Sequence, residues 1–505
     1  MNIPQFPESY WLKSAKLPHF DSLKESIKTD VVIIGGGITG ITTAYLLSKQ
    51  KIDVTLIEAS TIVNGTTGHT TAKITAQHGL IYDELIQHFG LEKASLYYQA
   101  AIDAKKLIED NIEDLNIQCD YQKQDAYIFT NEDSYISKLE KEKQAYEKIE
   151  ISSELTDTIP LHLPIKSALM MKDQAQFHPL KYLSKLVEES SKNGVHIFEH
   201  TTAMDIEYNE RPTVITRDGY RIEAKNVVIA SHFPFYNFEG FYFSRMYPER
   251  SYVIAMKSKD SFPGGMYINA ESPTRSIRST QFNGEDLWLI GGENHKTGQG
   301  ISTITHYEAL KEYALNQFNV EEFSYRWSAQ DLTTLDKLPY IGSLTDNERK
   351  IFVATGYRKW GMTNGTIAAK IIADKILDKE NQYESLYTPS RFQADPALKK
   401  FISFNTDVAK HLIKGKLEYT DNNIEKLKED EATITRIDGQ RTGVYRDKNK
   451  KLYLVDTTCT HMGCEVEWNS GDRTWDCPCH GSRFSIEGEV IEGPAKKPLA
   501  RREIK

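Results

Sequence analysis

The sequence predicts an α/β chain in three parts: a doubly wound domain of the dinucleotide-binding type, an α+β domain interleaved with it, and a small all-β domain at the C-terminal end. Three observations carry that prediction. Residues 30–58 run strand, glycine-rich turn, helix, strand, acidic residue. Two insertions, 81–159 and 241–325, bring helices and strands of their own. Beyond residue 426 the pattern is short strands and turns, and four of the five cysteines gather there. A chain of 505 residues exceeds what one core can organise, so several domains are expected in any case.

Composition narrows the function classes. A net charge of -9 argues against a nucleic-acid surface. Five cysteines, mostly clustered, do not make a secreted disulfide scaffold. The first residues lack the basic start and apolar run of a signal peptide. Residues 31–47 are apolar, but they hold four glycines and change period midway, which a spanning helix would not do. The expectation is a cytoplasmic protein with no membrane span and no nucleic-acid partner.

Residues 1–29 read as a surface arm, with Tyr10-Trp11-Leu12 packing it onto the body. Asp30-Val-Val-Ile-Ile34 is a β-branched run expected as a buried parallel strand. Gly35-Gly36-Gly37-Ile38-Thr39-Gly40 follows, then a helical stretch over 41–49, then the strand Asp53-Val-Thr-Leu-Ile57 ending at Glu58 and Ala59. This is the Rossmann-type fingerprint in its required context. Gly35 permits the tight turn, Gly37 lets the backbone approach a pyrophosphate, and Gly40 lets helix and strand pack closely. Glu58 can accept both ribose hydroxyls, which disfavours a 2′-phosphate.

The next stretch, Gly65-Thr66-Thr67-Gly68-His69-Thr70-Thr71-Ala72, is a loop of small polar residues. With it, the chain resembles the D-amino-acid oxidase and sarcosine/dimethylglycine dehydrogenase superfamily of FAD enzymes. The resemblance recurs at Asn226-Val-Val-Ile-Ala230-Ser231, at Leu338-Pro-Tyr-Ile-Gly342, and at Gly356-Tyr-Arg-Lys359-Trp360-Gly361-Met362-Thr363. It implies an FAD-binding domain over 1–80, 160–240 and 326–385, and a substrate domain over 81–159 and 241–325. It places the 65–70 loop along pyrophosphate and flavin, His200-Thr-Thr-Ala203 near the adenine, and the helix opening at Gly361 against the flavin ring, where its N-terminus can stabilise negative charge. Some dehydrogenases of the superfamily bond their flavin covalently to the His of a Gly-Thr-Thr-Trp-His run. Here Gly68 replaces the Trp, so a covalent link through His69 and a merely hydrogen-bonding loop histidine both stand open. Lys359 and Trp360 are implied to face the ring. Arg250, Tyr252 and His295 are further substrate-side candidates, since an arginine can anchor a carboxylate through two parallel hydrogen bonds. His178 before Pro179 reads as a helix-start residue, and Cys119 as a buried structural thiol.

Residues 386–425 change character: a break at 388–391, helical spacing over 396–414 that can strap two domains together, and a charged loop over 418–431. Residues 426–505 form the β domain, with strands expected at 432–436, 443–446 and 451–455. Its two loops carry Cys459-Thr-His461-Met-Gly-Cys464 and Cys477-Pro-Cys479-His480-Gly-Ser482-Arg-Phe484. Two thiolates and two imidazoles admit a structural zinc, or a two-iron cluster with two Cys on one iron and two His on the other. Set on a small β domain, with Gly488 and Gly493-Pro494-Ala495 following, the two boxes resemble the Rieske family. That resemblance implies a [2Fe-2S] cluster held by Cys459, His461, Cys477 and His480, with Cys464 and Cys479 joined in a disulfide between the loops. High-potential members carry Gly-Ser-x-Tyr after the second box. This chain keeps Ser482 but has Phe484, so a potential below the top of the roughly -150 to +300 mV Rieske range is expected.

Together the resemblances imply an FAD-dependent dehydrogenase that oxidises an amine or amino acid and passes electrons through the cluster to an external acceptor. Two alternatives stay open: an oxidase using oxygen with an auxiliary Rieske domain, and a non-enzymatic electron-transfer or redox-sensing protein. A Rieske oxygenase is disfavoured, because its cluster domain normally precedes a domain with a two-His, one-carboxylate iron site, and here a short tail follows the cluster boxes.

Overall fold

A computed structural model describes residues 1–208, 210–236, 239–348, 350–391, 394–417 and 424–503. Two large sheets and two small ones organise it. The first has eight strands around a parallel centre. Ile27–Ile34 pairs with Val54–Ile57 on one side and Arg221–Ile229 on the other, Arg221–Ile229 continues to Ile351–Thr355, and Val54–Ile57 to His196–Phe198. Every residue of Val54–Ile57 and Ile351–Thr355 is buried, which is why these strands read as unbroken apolar runs. Helices Ile38–Ser48, Pro179–Lys192 and Gly361–Ile376 pack beside one another and onto this sheet. The three central strands end at Gly35, Ala230 and Gly356, so their carboxyl ends open on one crevice, where ligands of doubly wound sheets bind.

The second sheet has nine strands in the order Val320–Thr334, Met246–Ser258, Glu285–Lys296, Arg275–Phe282, Met266–Asn269, Gln122–Thr130, Ser167–Gln176 and Lys73–Ile74, with Ser153–Thr156 beside Ser167–Gln176. Helices Tyr82–Asp114, Asp133–Ile149 and Ile304–Gln317 accompany it. Tyr82–Asp114 kinks at Gly90, which takes φ 85. The sheets cut the chain differently from the expected boundaries. Lys73–Ile74 and Ser167–Gln176 fall within the segments assigned to FAD binding, yet both pair in the second sheet, and Val320–Thr334 runs on past residue 326. A strand's local pattern reports burial, not which sheet buries it.

Helix Ala394–Leu417 does strap domains together. Asp407 takes the Lys296 ammonium at 2.9 Å, and Asn405 donates to the Ser244 carbonyl. Val408 and Leu412 pack on the core of the C-terminal domain. The first part of the charged loop, residues 418–423, lies outside the described residues. The C-terminal domain is all-β, as expected: Glu431–Ile437, Gln440–Arg446 and Leu452–Asp456 form one antiparallel sheet, and Glu467–Asn469, Thr474–Asp476, Arg483–Phe484 and Val490–Glu492 another. The Cys/His boxes are the loops around the first two strands of the second of these sheets. No described helix is long and apolar enough to cross a membrane.

Candidate functional site

A cavity of about 360 Å³ opens at the crevice where the central strands end. Gly35, Gly37, Ile38, Thr39, Glu58 and Ala59 form one wall, and Gly65, Thr66, Thr67, His69 and Thr70 the next. Ala203, Ala230 and Ser231 line it on the first sheet, and Lys359, Trp360, Gly361 and Met362 at the start of Gly361–Ile376. The glycines are forced by close approach. A Cβ on Gly40 would sit 1.9 Å from the Gly35 carbonyl oxygen, and one on Gly35, at φ 114, would meet the Ala230 oxygen at 2.5 Å. The Ile38 N–H donates to Thr67 Oγ1 at 3.1 Å, fastening the 65–70 loop to the helix N-terminus. Glu58 accepts from the N–H groups of Gly36 and Ser60 at 2.8 and 2.9 Å, and burial raises its pKa.

Three expected cofactor residues frame the cavity without lining it. Gly40 packs helix against strand. Gly356, at φ 79, lies against Thr334. The Thr363 hydroxyl bonds His78 Nε2 and the Thr75 carbonyl. Of His200-Thr-Thr-Ala203, the last three residues line the cavity and His200 does not. His178 caps Pro179–Lys192, its Nδ1 accepting from the Lys181 N–H, and burial drops its pKa to about 3. Cys119 is buried and its thiol is pushed up to about 12.

His69 faces the cavity with Nδ1 2.9 Å from the Gly65 carbonyl, and burial lowers its pKa. The structure explains the glycine before it. A Cβ on Gly68 would fall 2.4 Å from the Val63 oxygen and 3.2 Å from Leu12 Cδ2. The N-terminal arm fills the space a Trp would need: Trp11 is fully buried and donates to the Thr70 carbonyl, and Ser9 donates to that of Gly68.

Several cavity residues were not visible in the sequence. Asp331 lies beside Lys359; burial raises its pKa to about 7 and depresses that of Lys359. Lys73 projects from the second sheet, Nζ donating to the Tyr267 carbonyl at 3.0 Å and to Ser276 Oγ at 2.7 Å. Burial, aided by the Arg278 charge, lowers its pKa to about 7. Arg358 lines the cavity with Nη2 on the His78 carbonyl and Nη1 buried without a hydrogen-bond partner. His78 stacks behind Trp360 at 4.9 Å and fixes that ring. Lys73 and Asp331 belong to no motif, and Arg358, although it lies within the 356–363 stretch, was not singled out there. Only burial of a charged group marks them, and burial is a tertiary property.

Two substrate-side candidates are corrected. Arg250 is fully buried and does not line the cavity. Its guanidinium lies 3.5–3.7 Å from Glu492, Asp472 and Asp476 of the C-terminal domain, and donates to Ser328 Oγ at 2.7 Å. His295 also lies off the cavity, stacked on His306 at 4.4 Å and bonded through Nε2 to the Tyr252 hydroxyl at 2.9 Å. Tyr252 does line the cavity.

In the C-terminal domain the Cys459 N–H donates to the Cys464 carbonyl at 2.7 Å, and the Cys477 N–H to that of Ser482 at 2.8 Å, which folds each box into a tight loop. Gly463 and Gly481 supply the left-handed turns, at φ 76 and 77. Cys464 and Cys479 are disulfide-bonded, tying loop to loop. Their sulfurs lie near Cys477 Sγ, but a disulfide offers no thiolate, so they are not ligands. Cys459 and Cys477 remain as buried free thiols that hydrogen-bond each other; the bond lowers Cys459 to about 7 and raises Cys477. Burial drops His461 to about 4 and His480 to about 3, so both rings are neutral at pH 7, as metal ligation requires. The rings lie 5.1 Å apart, and His480 Nδ1 is buried without a hydrogen-bond partner. The Ser482 hydroxyl bonds Cys459 and accepts the Ala495 N–H at 3.0 Å.

The two sites touch. Residues 490–496, which follow the second box, line the cavity of the first sheet. Phe233 lines that cavity too, and its ring centroid is 6.5 Å from that of His461. Phe243 and Phe404 cover His480 at 5.8 and 6.4 Å.

Residues 30–375 match the family of FAD dependent oxidoreductases, and residues 418–503 match the Rieske [2Fe-2S] domain. The chain is 51% identical to a Rieske 2Fe-2S iron-sulfur protein, YhfW, of Bacillus subtilis, over 98% of this chain and 97% of the relative. It is 24% identical to the gamma-glutamylputrescine oxidoreductase of Escherichia coli, over 76% of this chain and 92% of that one. Glycine oxidase from Geobacillus kaustophilus shares the fold, with a TM-score of 0.62 at 18% identity over 72% of this chain and 99% of that one. The residues present fit both groups that these matches imply. The close-packed turn at Gly35, Gly36 and Gly40, where a Cβ would clash, with Glu58 at the strand end, suits FAD. Two buried thiols and two neutral imidazoles, one with an orphaned nitrogen, suit a two-iron cluster, and all four cysteines cannot serve a zinc while two are oxidised.

Proposed function

This chain belongs to the FAD-dependent oxidoreductase family and carries a Rieske [2Fe-2S] domain, and on that premise we propose that it is a dehydrogenase that oxidises an amine or amino acid and hands the electrons through the cluster to an external acceptor. FAD supplies hydride acceptance and the cluster single-electron transfer; the protein supplies binding and orientation. The observation that carries the relay is the Phe233–His461 contact, which places a cavity wall residue against an expected cluster ligand. The E. coli relative named for an amine substrate supports the substrate class.

Arg358, with its unpartnered Nη1, is suited to a substrate carboxylate, in the role first considered for Arg250. Hydride loss from carbon requires an uncharged amine. Lys73 Nζ, its pKa lowered by burial to about 7, can take the proton from a substrate ammonium, and its two acceptors hold it in place. With FAD bound, Glu58 would hold the ribose, the 65–70 loop would follow the pyrophosphate, and residues 359–362 would meet the flavin ring.

The test is an anaerobic screen of amines and amino acids, following flavin bleaching and then the cluster spectrum. A substrate that bleaches the flavin and then reduces the cluster supports the relay. Flavin reduction that never reaches the cluster refutes it and leaves an oxidase. If no amine or amino acid bleaches the flavin, the substrate class is wrong.

A further inference from the structure

We propose that the Rieske domain is a structural part of the FAD site: its residues 490–496 close over the nucleotide side of the cavity, and a buried cluster of Arg250 and Arg483 with three carboxylates holds them there. This inference does not depend on which way electrons flow.

The segment faces the ribose end of the dinucleotide crevice. That end is marked by Glu58, whose carbonyl accepts the Thr201 N–H at 2.8 Å, so that Thr201, Thr202 and Ala203 stand beside it. Two hydrogen bonds join the closing segment to this wall. Lys496 Nζ donates to the Met204 carbonyl at 2.6 Å. Arg217 Nη2 donates to the Lys496 carbonyl at 3.1 Å. Glu492 Oε1 lies 3.8 Å from His232 Nε2, an atom buried without a hydrogen-bond partner on the cavity wall.

The lock lies behind the segment. Arg250 comes from the second sheet; Asp472, Asp476 and Glu492 come from the Rieske domain, and Arg483 adds a second guanidinium, 3.2–3.5 Å from all three. Two further bonds cross the same junction: Gln330 Nε2 to the Gly481 carbonyl at 2.9 Å and Arg326 Nη1 to that of Gly471 at 2.8 Å. Two guanidiniums interleaved with three carboxylates, with Arg250 fully buried, favour one relative position of the two surfaces, since displacing either surface strands a charge away from water. The closing segment is tied equally to the cluster box, through the Ala495–Ser482–Cys459 hydrogen bonds. Cluster box, closing segment and FAD wall therefore form one unit.

Flavin fluorescence, quenched in the site and bright when exposed, reads the closure whether or not the flavin is covalently bound. In the holoprotein, Arg250→Met is expected to speed the appearance of flavin fluorescence after dilution by about ten-fold, a loss of about 1.4 kcal/mol of closure, with the visible circular dichroism of the cluster retained. Lys496→Met, which removes one tie, is expected to act in the same direction more weakly. Unchanged flavin exposure in both variants, with the cluster signal intact, overturns the proposal. A urea titration of the wild-type protein provides a test that needs no variant. Flavin fluorescence must rise at or before the loss of the cluster signal; flavin that stays quenched after the cluster signal has gone also overturns it.

Discussion

Removing the Ser482 hydroxyl should lower the cluster potential. That hydroxyl bonds Cys459, one of the two expected cysteine ligands, and accepts the Ala495 N–H at 3.0 Å, so it is held in place from both sides. A hydrogen bond to a charged group contributes about 1.5–3 kcal/mol. For a one-electron couple, tenfold is about 59 mV and about 1.4 kcal/mol, so a bond made only in the reduced state would shift the potential by about 65–130 mV. The bond exists in both oxidation states and strengthens as the sulfur gains charge, so roughly half of that, about 30–70 mV, is the expected fall in Ser482→Ala. The orphaned Ala495 N–H should also cost about 1–3 kcal/mol, seen as cluster loss at lower temperature. Phe484→Tyr is the mirror experiment. Phe484 is fully buried in the core that contains the ligand cysteines, and a hydroxyl there that reaches a cluster sulfur raises the potential. Redox titration followed by visible circular dichroism measures both. A Ser482→Ala potential at or above the wild-type value refutes the reasoning.

Cys464→Ser opens a link across 15 residues, worth about 3 kcal/mol in chain entropy, so the cluster should bleach at a lower temperature than in the wild type. Acid precipitation should leave the flavin in the supernatant, because Gly68 stands where the covalently bonded run has Trp, and a side chain there would meet the Val63 oxygen at 2.4 Å; flavin remaining on the wild-type protein but not on His69→Ala would show the covalent link instead. Asp331 has its pKa raised by burial to about 7, against about 3.9 unfolded. The folded state therefore keeps a proton that the unfolded state has lost, and this contribution to stability is full below about pH 4 and declines as pH rises to about 7. Asp331→Asn should flatten that part of the urea-midpoint profile, and an unchanged slope would exclude Asp331 as its source. Gly40→Ala, with its Cβ 1.9 Å from a carbonyl oxygen, should abolish flavin binding, read from the absorbance of the purified protein.

The sequence by itself determined the parts whose chemistry is local. Gly35 to Glu58 spans one strand–helix–strand unit, and each Cys/His box is a single loop, so residue type and spacing carry the geometry. His178 as a helix cap and Cys119 as a buried thiol were legible for the same reason. Tertiary structure decided everything that depends on residues far apart in the chain. Arg250 looked like a carboxylate anchor and became part of an interdomain lock, because Glu492, 242 residues on, folds against it. Residues 490–496 looked like the end of a cluster domain and became a wall of the FAD cavity. Lys73, Asp331 and Arg358 owe their character to burial, which removes water from a charge and shifts its pKa or leaves a donor unpartnered. Desolvation is a property of the packed molecule, and no spacing in a single sequence encodes it.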